Sequence, residues 1–260
     1  MDDTQAKYVD KIQKLLRKAE DKACPEPERE TCIRMAQNLM QRWAIDDAML
    51  AAASPNRKDD LLVNEEVVIV GIYRFPLSRL SWYTMRNNNI KAVLLGHPGP
   101  RTVGDRTYKQ TEVYMCVGYQ TDLHRFRMME QSLHIQCVTA ESAWWREHKD
   151  EYTYLSGSQQ HQARRGFMFG FAEGANRKME EGRATAQKEA KSQHGTGMEL
   201  VLVSREEKVK NKLAELFPHT RSVSDRRSRG DYNAHSAGYE AGKRADTGEG
   251  KLKSRKSLTT

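Results

Sequence analysis

The sequence predicts an α+β protein in which a helical module precedes a small sheet packed with two long helices. Three observations predict this class. Apolar residues recur at helical spacing through the first fifty residues, β-branched runs follow between residues 66 and 117, and two long amphipathic stretches come after them. The predicted units, in chain order, are a helical hairpin module at 5–52, an α+β domain at 61–247 and a basic flexible tail at 248–260.

Composition excludes several classes of protein. The chain has 260 residues, of which 38% are hydrophobic and 30% are charged. No apolar run approaches the roughly 20 residues of a bilayer span, and no apolar signal segment opens the chain. Four cysteines without a CxxC pair do not make a disulfide or zinc framework. We therefore expect a cytoplasmic protein that does not act at a membrane and has no metal or cofactor.

The first fifty residues predict two amphipathic helices joined by a turn. The apolar stripe of the first helix is Tyr8, Ile12, Leu15, Leu16 and Ala19, and that of the second is Cys32, Ile33, Ala36, Leu39, Met40, Trp43 and Ala44. Pro25 and Pro27 separate the two helices, and Pro27 suits a first helical turn. A short third helix is expected at 47–50, before a linker at 51–60.

The central region predicts strands and one helix. Strands are expected at 66–73, 90–95 and 111–117, and a helix at 77–85. The connection at 96–110 holds three Gly and two Pro residues, so it is expected to be a long exposed loop.

Two long helices are predicted next, from about 121 to 148 and from about 161 to 191. The second contains Gly166, Gly170 and Gly174, and each interior glycine costs about 1 kcal/mol relative to alanine. This spacing predicts a smooth groove that admits another backbone, for which the 121–148 helix is the expected partner.

The last part of the domain predicts a strand and two helices. The strand is MELVLV at 198–203, and Ser204 with Glu207 predicts a capping box that opens the next helix. A basic, Ser-rich loop at 219–231 precedes a short helix at 232–245, in which small residues again stand in register.

The N-terminal motifs resemble a known family. The segments are 11–20 (KIQKLLRKAE), Pro27-Glu28, 36–40 (AQNLM) and Ile45-Asp46. Over residues 8–50 they resemble domain of unknown function 2786, a small family found in bacteria and in many cases their phages. The family usually has a shorter turn where this chain has its two prolines. The resemblance implies a phage or prophage origin and no particular activity.

Longer phage members are similar further along the chain. The segments that carry this likeness are 117–119 with Asp122, Arg165 with Phe167, 170–171, 200–203 with Arg205, and 237–246. The likeness implies that the C-terminal region is a companion domain.

Charge is distributed unevenly along the chain. Residues 1–160 carry 22 basic and 22 acidic side chains, whereas 161–260 carry 21 basic and 13 acidic, which accounts for the net charge of +8. Such asymmetry favours a polyanionic partner, most often nucleic acid. The candidate nucleic-acid-binding residues are Arg164, Arg165, Arg226, Arg227, Arg229, Lys243 and Arg244, with the tail lysines and arginines beyond them. The alternative is a solvated basic surface that only aids solubility.

Other chemistry has weaker support. Glu130, His134 and Cys137 share one face of the 121–148 helix, but no second set of metal ligands accompanies them. Cys116 and Cys137 are expected to be buried and inert. Trp144, Trp145, Tyr152 and Tyr154 either stack on unpaired bases or, as we favour, pack in the core.

The function expected from sequence is therefore non-enzymatic association with nucleic acid through the basic C-terminal region. Two alternatives stay open. One is a host-protein-binding factor that acts through the helical module, in host takeover or in anti-defence. The other is an uncharacterised enzyme with a site assembled from scattered polar residues.

Overall fold

The computed structural model describes residues 61–220 apart from 97, 98 and 195, residues 231–247, and part of the stretch between 10 and 39. For 186–203 it describes the backbone path alone. The predicted third helix at 47–50, the linker at 51–60, most of the basic loop at 219–231 and the tail at 248–260 lie outside the described residues.

The described secondary structure is α+β, as the sequence predicts. The strands are β1 (Leu62–Val70), β2 (Lys91–Leu94), β3 (Arg101–Val103), β4 (Arg106–Tyr108) and β5 (Thr111–Tyr119). The helices are α1 (Arg74–Asn87), α2 (Gln120–His148), α3 (Gly157–His194), α4 (Thr196–Leu216) and α5 (Tyr232–Arg244), with a 3₁₀ turn at Lys149–Tyr152 after α2.

Three of the strands form an antiparallel sheet in the order β1–β5–β2. β5 lies in the centre, and its Val113, Cys116 and Val117 are fully buried, which explains its near-continuous apolar sequence. The predicted strand 66–73 is shifted, since β1 ends at Val70 and Gly71 turns the chain with φ +94°. The predictions at 90–95 and 111–117 are confirmed with small changes of boundary.

The connection predicted as a loop contains a small hairpin. β3 pairs with β4, and Val103 stands opposite Arg106 across a two-residue turn. Gly104 occupies the first turn position with φ +57°, as type II′ hairpin turns require. The sequence Val-Gly-Asp-Arg carried this signal, and the surrounding glycines and prolines obscured it.

The predicted strand at 198–203 is wrong, because this segment is the first part of helix α4. A six-residue apolar run does not distinguish a strand from a buried helix segment, and Met, Glu and Leu are good helix formers. Ser204 therefore lies inside the helix and does not cap it. Val209 of α4 packs against Val117 and Tyr119 of β5, so α4 covers one face of the sheet.

The opposite face of the sheet packs against α1 and the beginning of α2. The buried residues of this cluster are Val67, Ile69, Met85, Ile90, Tyr114, Cys116, Leu123 and Phe126. A second cluster joins α1, α2 and α3 through residues such as Leu80, Leu133 and Phe171. Helix α2 therefore contributes buried residues to both clusters.

The described residues of 10–19 and 27–39 are helical, in agreement with the predicted hairpin. Arg29 closes the turn between them, since it donates hydrogen bonds to the carbonyls of Ala19 (3.1 Å) and Cys24 (3.3 Å). The two stripes do not pack only on each other. The buried residues Ile12, Ala19, Cys32 and Ala36 form one cluster with Met128 and Ile135 of α2.

The glycine face of α3 admits another backbone, but its partner is α5 and the predicted partner α2 is wrong. A Cβ on Gly170 would lie 1.9 Å from the carbonyl oxygen of His235, and one on Gly238 of α5 would lie 1.9 Å from that of Phe167. Gly174 and Gly242 make the same kind of contact one turn further on. Glycines on both helices therefore let the two backbones touch.

Within the described part of the chain, no helix combines the length and apolarity needed to cross a membrane.

Candidate nucleic-acid interface

Two of the predicted basic residues lie on a surface where cations and aromatic rings alternate. Tyr73 is the N-cap of α1, and Arg74 and Phe75 are the first two residues of that helix. They lie beside His161, Arg164 and Arg165 near the start of α3, and we call these six residues the aromatic–arginine patch. The rings of Tyr73 and His161 stack with centroids 5.3 Å apart. All six side chains are partly exposed.

Each arginine of the patch lies over an aromatic ring. The guanidinium of Arg164 is 5.6 Å from the centre of Tyr73, that of Arg165 is 5.3 Å from Phe75, and that of Arg74 is 4.2 Å from the same Phe75 ring. Cation–π contacts hold guanidinium groups in place without neutralising them. The patch therefore keeps positive charge at fixed positions near solvent.

Arg164 also has a buried partner. Its Nε donates to Oε1 of Glu141 at 2.5 Å and its Nη2 donates to Oε2 at 3.1 Å. Glu141 is fully buried on α2, and its carboxylate pairs with Arg164, which is 30% exposed. Part of the charge of Arg164 thus serves the fold.

Burial is the largest cause of the shifted pKa values in the patch: it raises the pKa of Tyr73, where the charge of Glu141 outweighs that of Arg164, and it lowers the pKa of His161. Burial, followed by the charges of Arg165 and Arg164, lowers the pKa of His161 below its ordinary value. The charge of Glu141 acts in the opposite direction and is the smallest of the four causes. An anion that bound here would meet guanidinium groups that their surroundings already hold in place.

Of the other predicted site residues, the two that the structure describes do not join this patch. Lys243 and Arg244 are exposed at the end of α5, and the backbone of Lys243 packs beside Gly174. That position is nine residues beyond Arg165 along α3, or about 14 Å in an α-helix. Arg226, Arg227 and Arg229 lie outside the described residues.

Several described basic residues of the C-terminal region are paired with acids. The pairs are Arg177–Glu181, Arg205–Asp122, Lys212–Glu215 and Lys243–Glu240. The charge of these residues is therefore locally compensated.

Most of the charge excess falls in two sequence segments outside the described residues. Residues 221–230 hold four arginines and one aspartate, and residues 248–260 hold four basic residues and one glutamate. Each segment adds a net charge of +3 to a chain whose total is +8. The first segment leads directly into Asp231, the N-cap of α5.

The aromatic cluster after α2 divides into core and surface. Trp144 and Tyr152 are buried with Phe167 and Ala234, which confirms the core interpretation for these two residues. Trp145 is partly exposed and lies under the guanidinium of Arg164, 5.4 Å away. Tyr154 exposes 81% of its surface.

Sequence reasoning missed Tyr73, Arg74, Phe75 and His161. The predicted strand at 66–73 places Tyr73 at its last position. Two signals were present: the alternation Tyr-Arg-Phe, and His161 placed three and four residues before Arg164 and Arg165, which puts all three on one helix face.

The polar face of α2 is a buried structural network. Ser81 of α1 donates to Oε1 of the buried Glu130 at 2.6 Å, and its Oγ lies 2.9 Å from Nε2 of His134. Arg127 approaches the second oxygen of Glu130 at 3.8 Å. Among the described residues, no group of three or more His, Cys, Asp or Glu side chains is arranged to hold a metal ion.

We expect this network to make stability depend on pH. Burial lowers the pKa of His134 below its ordinary value of 6.5, and the opposing charge of Glu130 is the lesser influence. Below about pH 6.5 the unfolded chain takes up a proton that the folded chain resists, so the free energy of unfolding should fall, by at most about 1.4 kcal/mol per pH unit. In urea titrations at several pH values, His134→Gln should flatten this decline. The exposed His219 provides a control, His219→Gln. An unchanged slope in His134→Gln would contradict the assignment.

The cysteines in the sheet and in α2 are buried, as predicted. Burial raises the pKa of both the Cys116 and the Cys137 thiol. The four cysteines are free thiols. A raised pKa suppresses the reactive thiolate, so neither buried thiol suits nucleophilic chemistry.

The segments at 117–122 and 200–205 contact each other in the fold, as do those at 165–171 and 237–246. Arg205 bonds Asp122 at 3.3 Å and lies 3.6 Å from the centre of the Tyr119 ring. Phe167 and Gly238 meet where α3 packs on α5. Their roles in this chain are therefore packing and orientation of helices.

Comparisons with known proteins bear on the N-terminal segment alone. The comparison with curated proteins and the comparison with solved structures each found no match. Residues 7–47 match the model of a family described as Protein of unknown function (DUF2786), which confirms the resemblance seen at 8–50. The N-terminal helical segment of this chain is a DUF2786 domain.

Proposed function

We propose that this protein is a non-enzymatic, cytoplasmic accessory protein of phage or prophage origin that associates with nucleic acid. The observation that carries the proposal is the aromatic–arginine patch. It gathers three guanidinium groups and an imidazole on one surface, and Glu141 pairs with one of the three, Arg164. Phosphate groups are recognised by this kind of donor cluster.

The two basic segments at 221–230 and 248–260 extend this proposal. Their eight basic residues can contact phosphate groups whatever the base sequence of the nucleic acid. No recognition-helix or zinc-finger motif accompanies them in the sequence. Binding should therefore tolerate different base sequences and weaken as salt increases, because neutralised phosphates release counterions.

A filter-binding titration of the full chain against a mixed-sequence oligonucleotide tests this. Affinity should fall linearly on a logarithmic scale as salt rises from low to physiological concentration. Arg74→Gln/Arg165→Gln should lower both the affinity and the salt slope, the slope by about one for each phosphate that the variant no longer neutralises. Arg226→Gln/Arg227→Gln/Arg229→Gln should act in the same direction.

The matched control removes equal charge from another surface. Lys208 and Lys210 are exposed on α4, so Lys208→Gln/Lys210→Gln should change affinity much less than the patch variant. If the two double variants lost affinity equally, the net charge of the protein and not the aromatic–arginine patch would account for binding. Affinity that does not respond to salt would refute the proposal.

The alternative of a host-protein-binding module receives less support. An uncovered apolar strip on the N-terminal helices would favour it. The described stripe residues Ile12, Ala19, Cys32 and Ala36 are instead buried against α2.

A further inference from the structure

Two almost fully exposed tyrosines flank the hydrogen bond that joins the turn after α2 to the start of α5. Tyr154 is 81% exposed and Tyr232 is 82% exposed. Tyr152 donates a hydrogen bond from its hydroxyl to Oδ1 of Asp231 at 3.1 Å, and each exposed tyrosine lies within two residues of this bond. We call Tyr154 and Tyr232 the tyrosine pair.

The backbone near both tyrosines is fixed. Asp231 caps α5 by accepting from the backbone N–H of Ala234 at 2.9 Å, and Tyr232 is the first residue of that helix. Thr153 bonds the carbonyl of Asp150 at 3.0 Å in the turn that holds Tyr154. Rings presented from ordered backbone lose little conformational entropy when a ligand stacks on them.

A row of neighbouring side chains connects the tyrosine pair to the patch. Arg164 lies 5.4 Å from the centre of Trp145, Trp145 lies 5.5 Å from Tyr152, and Tyr152 bonds Asp231. The partly exposed Trp145 and the buried Tyr152 therefore link the guanidinium end of this region to the tyrosine end.

The charges along this surface differ between its ends. The patch end carries arginines, whereas the tyrosine end carries the exposed acids Glu147, Asp150 and Glu151 beside the bases Arg146 and Lys149. A duplex presents phosphates along its whole length and hides the faces of its bases. A single strand can place phosphates on the arginines and turn its bases onto the tyrosines.

We propose that this surface binds single-stranded nucleic acid, with phosphates on the aromatic–arginine patch and unpaired bases stacked on Tyr154 and Tyr232. The inference rests on the proposed function and deepens it by naming the ligand class. Stacking accepts any base, so the preference is for unpaired strands and not for a sequence.

The test uses the full chain with oligothymidylate, oligouridylate and a DNA duplex of the same length. We expect at least one single strand to bind roughly tenfold tighter than the duplex. Tyr154→Ala and Tyr232→Ala should each weaken single-strand binding about tenfold, within the range of one base–aromatic stack, and leave duplex binding unchanged. Tyr154→Phe and Tyr232→Phe keep the rings and should retain affinity. Tyr108 of β4, on the small hairpin, provides the control Tyr108→Ala.

The outcomes separate this inference from the proposed function. Equal affinity for single strands and duplex, unaffected by either alanine variant, would overturn the stacking surface and leave nucleic-acid association intact. A loss of affinity in the phenylalanine variants equal to that in the alanine variants would also overturn it, because the ring is retained. Failure of every oligonucleotide to bind at low salt would overturn both proposals.

Discussion

Gly238→Ala is expected to destabilise the protein by about 3 kcal/mol or more. The added Cβ would lie 1.9 Å from the carbonyl oxygen of Phe167, and 2.7 Å from its carbonyl carbon, so backbone and not a flexible side chain must move. Overpacking in a core ordinarily costs about 1–3 kcal/mol, and a rigid obstacle places this site at or beyond the upper limit.

The reciprocal change should have a similar effect. A Cβ on Gly170 would lie 1.9 Å from the carbonyl oxygen of His235. Each glycine in a helix interior costs about 1 kcal/mol in propensity, and the close packing of the two backbones offsets that cost. In an exposed helix Gly→Ala would be stabilising, so the sign of the effect identifies the packing role.

Urea denaturation followed by far-UV circular dichroism measures this effect. Gly157→Ala is the matched control, because Gly157 opens α3 with no atom within 4 Å of its added Cβ. We expect the control to match or exceed the parent protein in stability, and the Gly170 and Gly238 variants to unfold at much lower urea. A Gly238→Ala protein with an unchanged midpoint would show that α5 does not pack as described.

Helices with long periodic patterns were predictable from the sequence. α2 spans Gln120–His148 against a predicted 121–148, and α3 spans Gly157–His194 against 161–191. Their apolar residues repeat over many helical turns, so one residue that does not fit the pattern does not change the predicted helix. The apolar run at 198–203 is only six residues long, too short for a repeating pattern to distinguish a helix from a strand. In the structure it continues into the helical residues that follow it in α4.

Packing between distant segments was not predictable in the same way. The regularly spaced small residues at 166–174 and at 234–242 could both be recognised in the sequence. The sequence does not show, however, that these two helix faces contact each other. The aromatic–arginine patch also depends on packing between segments that are distant in sequence. Arg164 and Arg165 were identifiable as basic residues, whereas Tyr73 and Phe75 join them only because α1 and α3 pack together.

The pairing of Arg164 with Glu141 explains why a basic residue in this chain is not automatically a ligand-binding residue. Glu141 was not distinguishable from the other acids of α2 by sequence. In the structure it is fully buried, and both of its oxygens accept from one guanidinium. A filter-binding test that substituted Arg164 would confound weaker phosphate binding with lower stability, so Arg74 and Arg165 are the informative positions.

Arg164→Met is expected to cost about 3–5 kcal/mol of folding stability, the range for removing one partner of a buried ion pair. The substitution leaves the Glu141 carboxylate without its counterion at a site that water does not reach. Glu141→Leu should cost less, because the remaining guanidinium is 30% exposed and still contacts the rings of Tyr73 and Trp145. The double variant should be more stable than Arg164→Met alone, since it leaves no buried charge.

A double-mutant cycle provides the decisive measurement. Urea titrations of the parent protein, Arg164→Met, Glu141→Leu and the double variant give the coupling free energy between the two side chains. We expect a coupling near the upper end of the range of about 0.5–3 kcal/mol for residues in contact, because both oxygens of the buried carboxylate accept hydrogen bonds from the one guanidinium. A coupling near zero would mean that the two groups do not form this ion pair in solution, and the pair would then not anchor this end of α3 to α2.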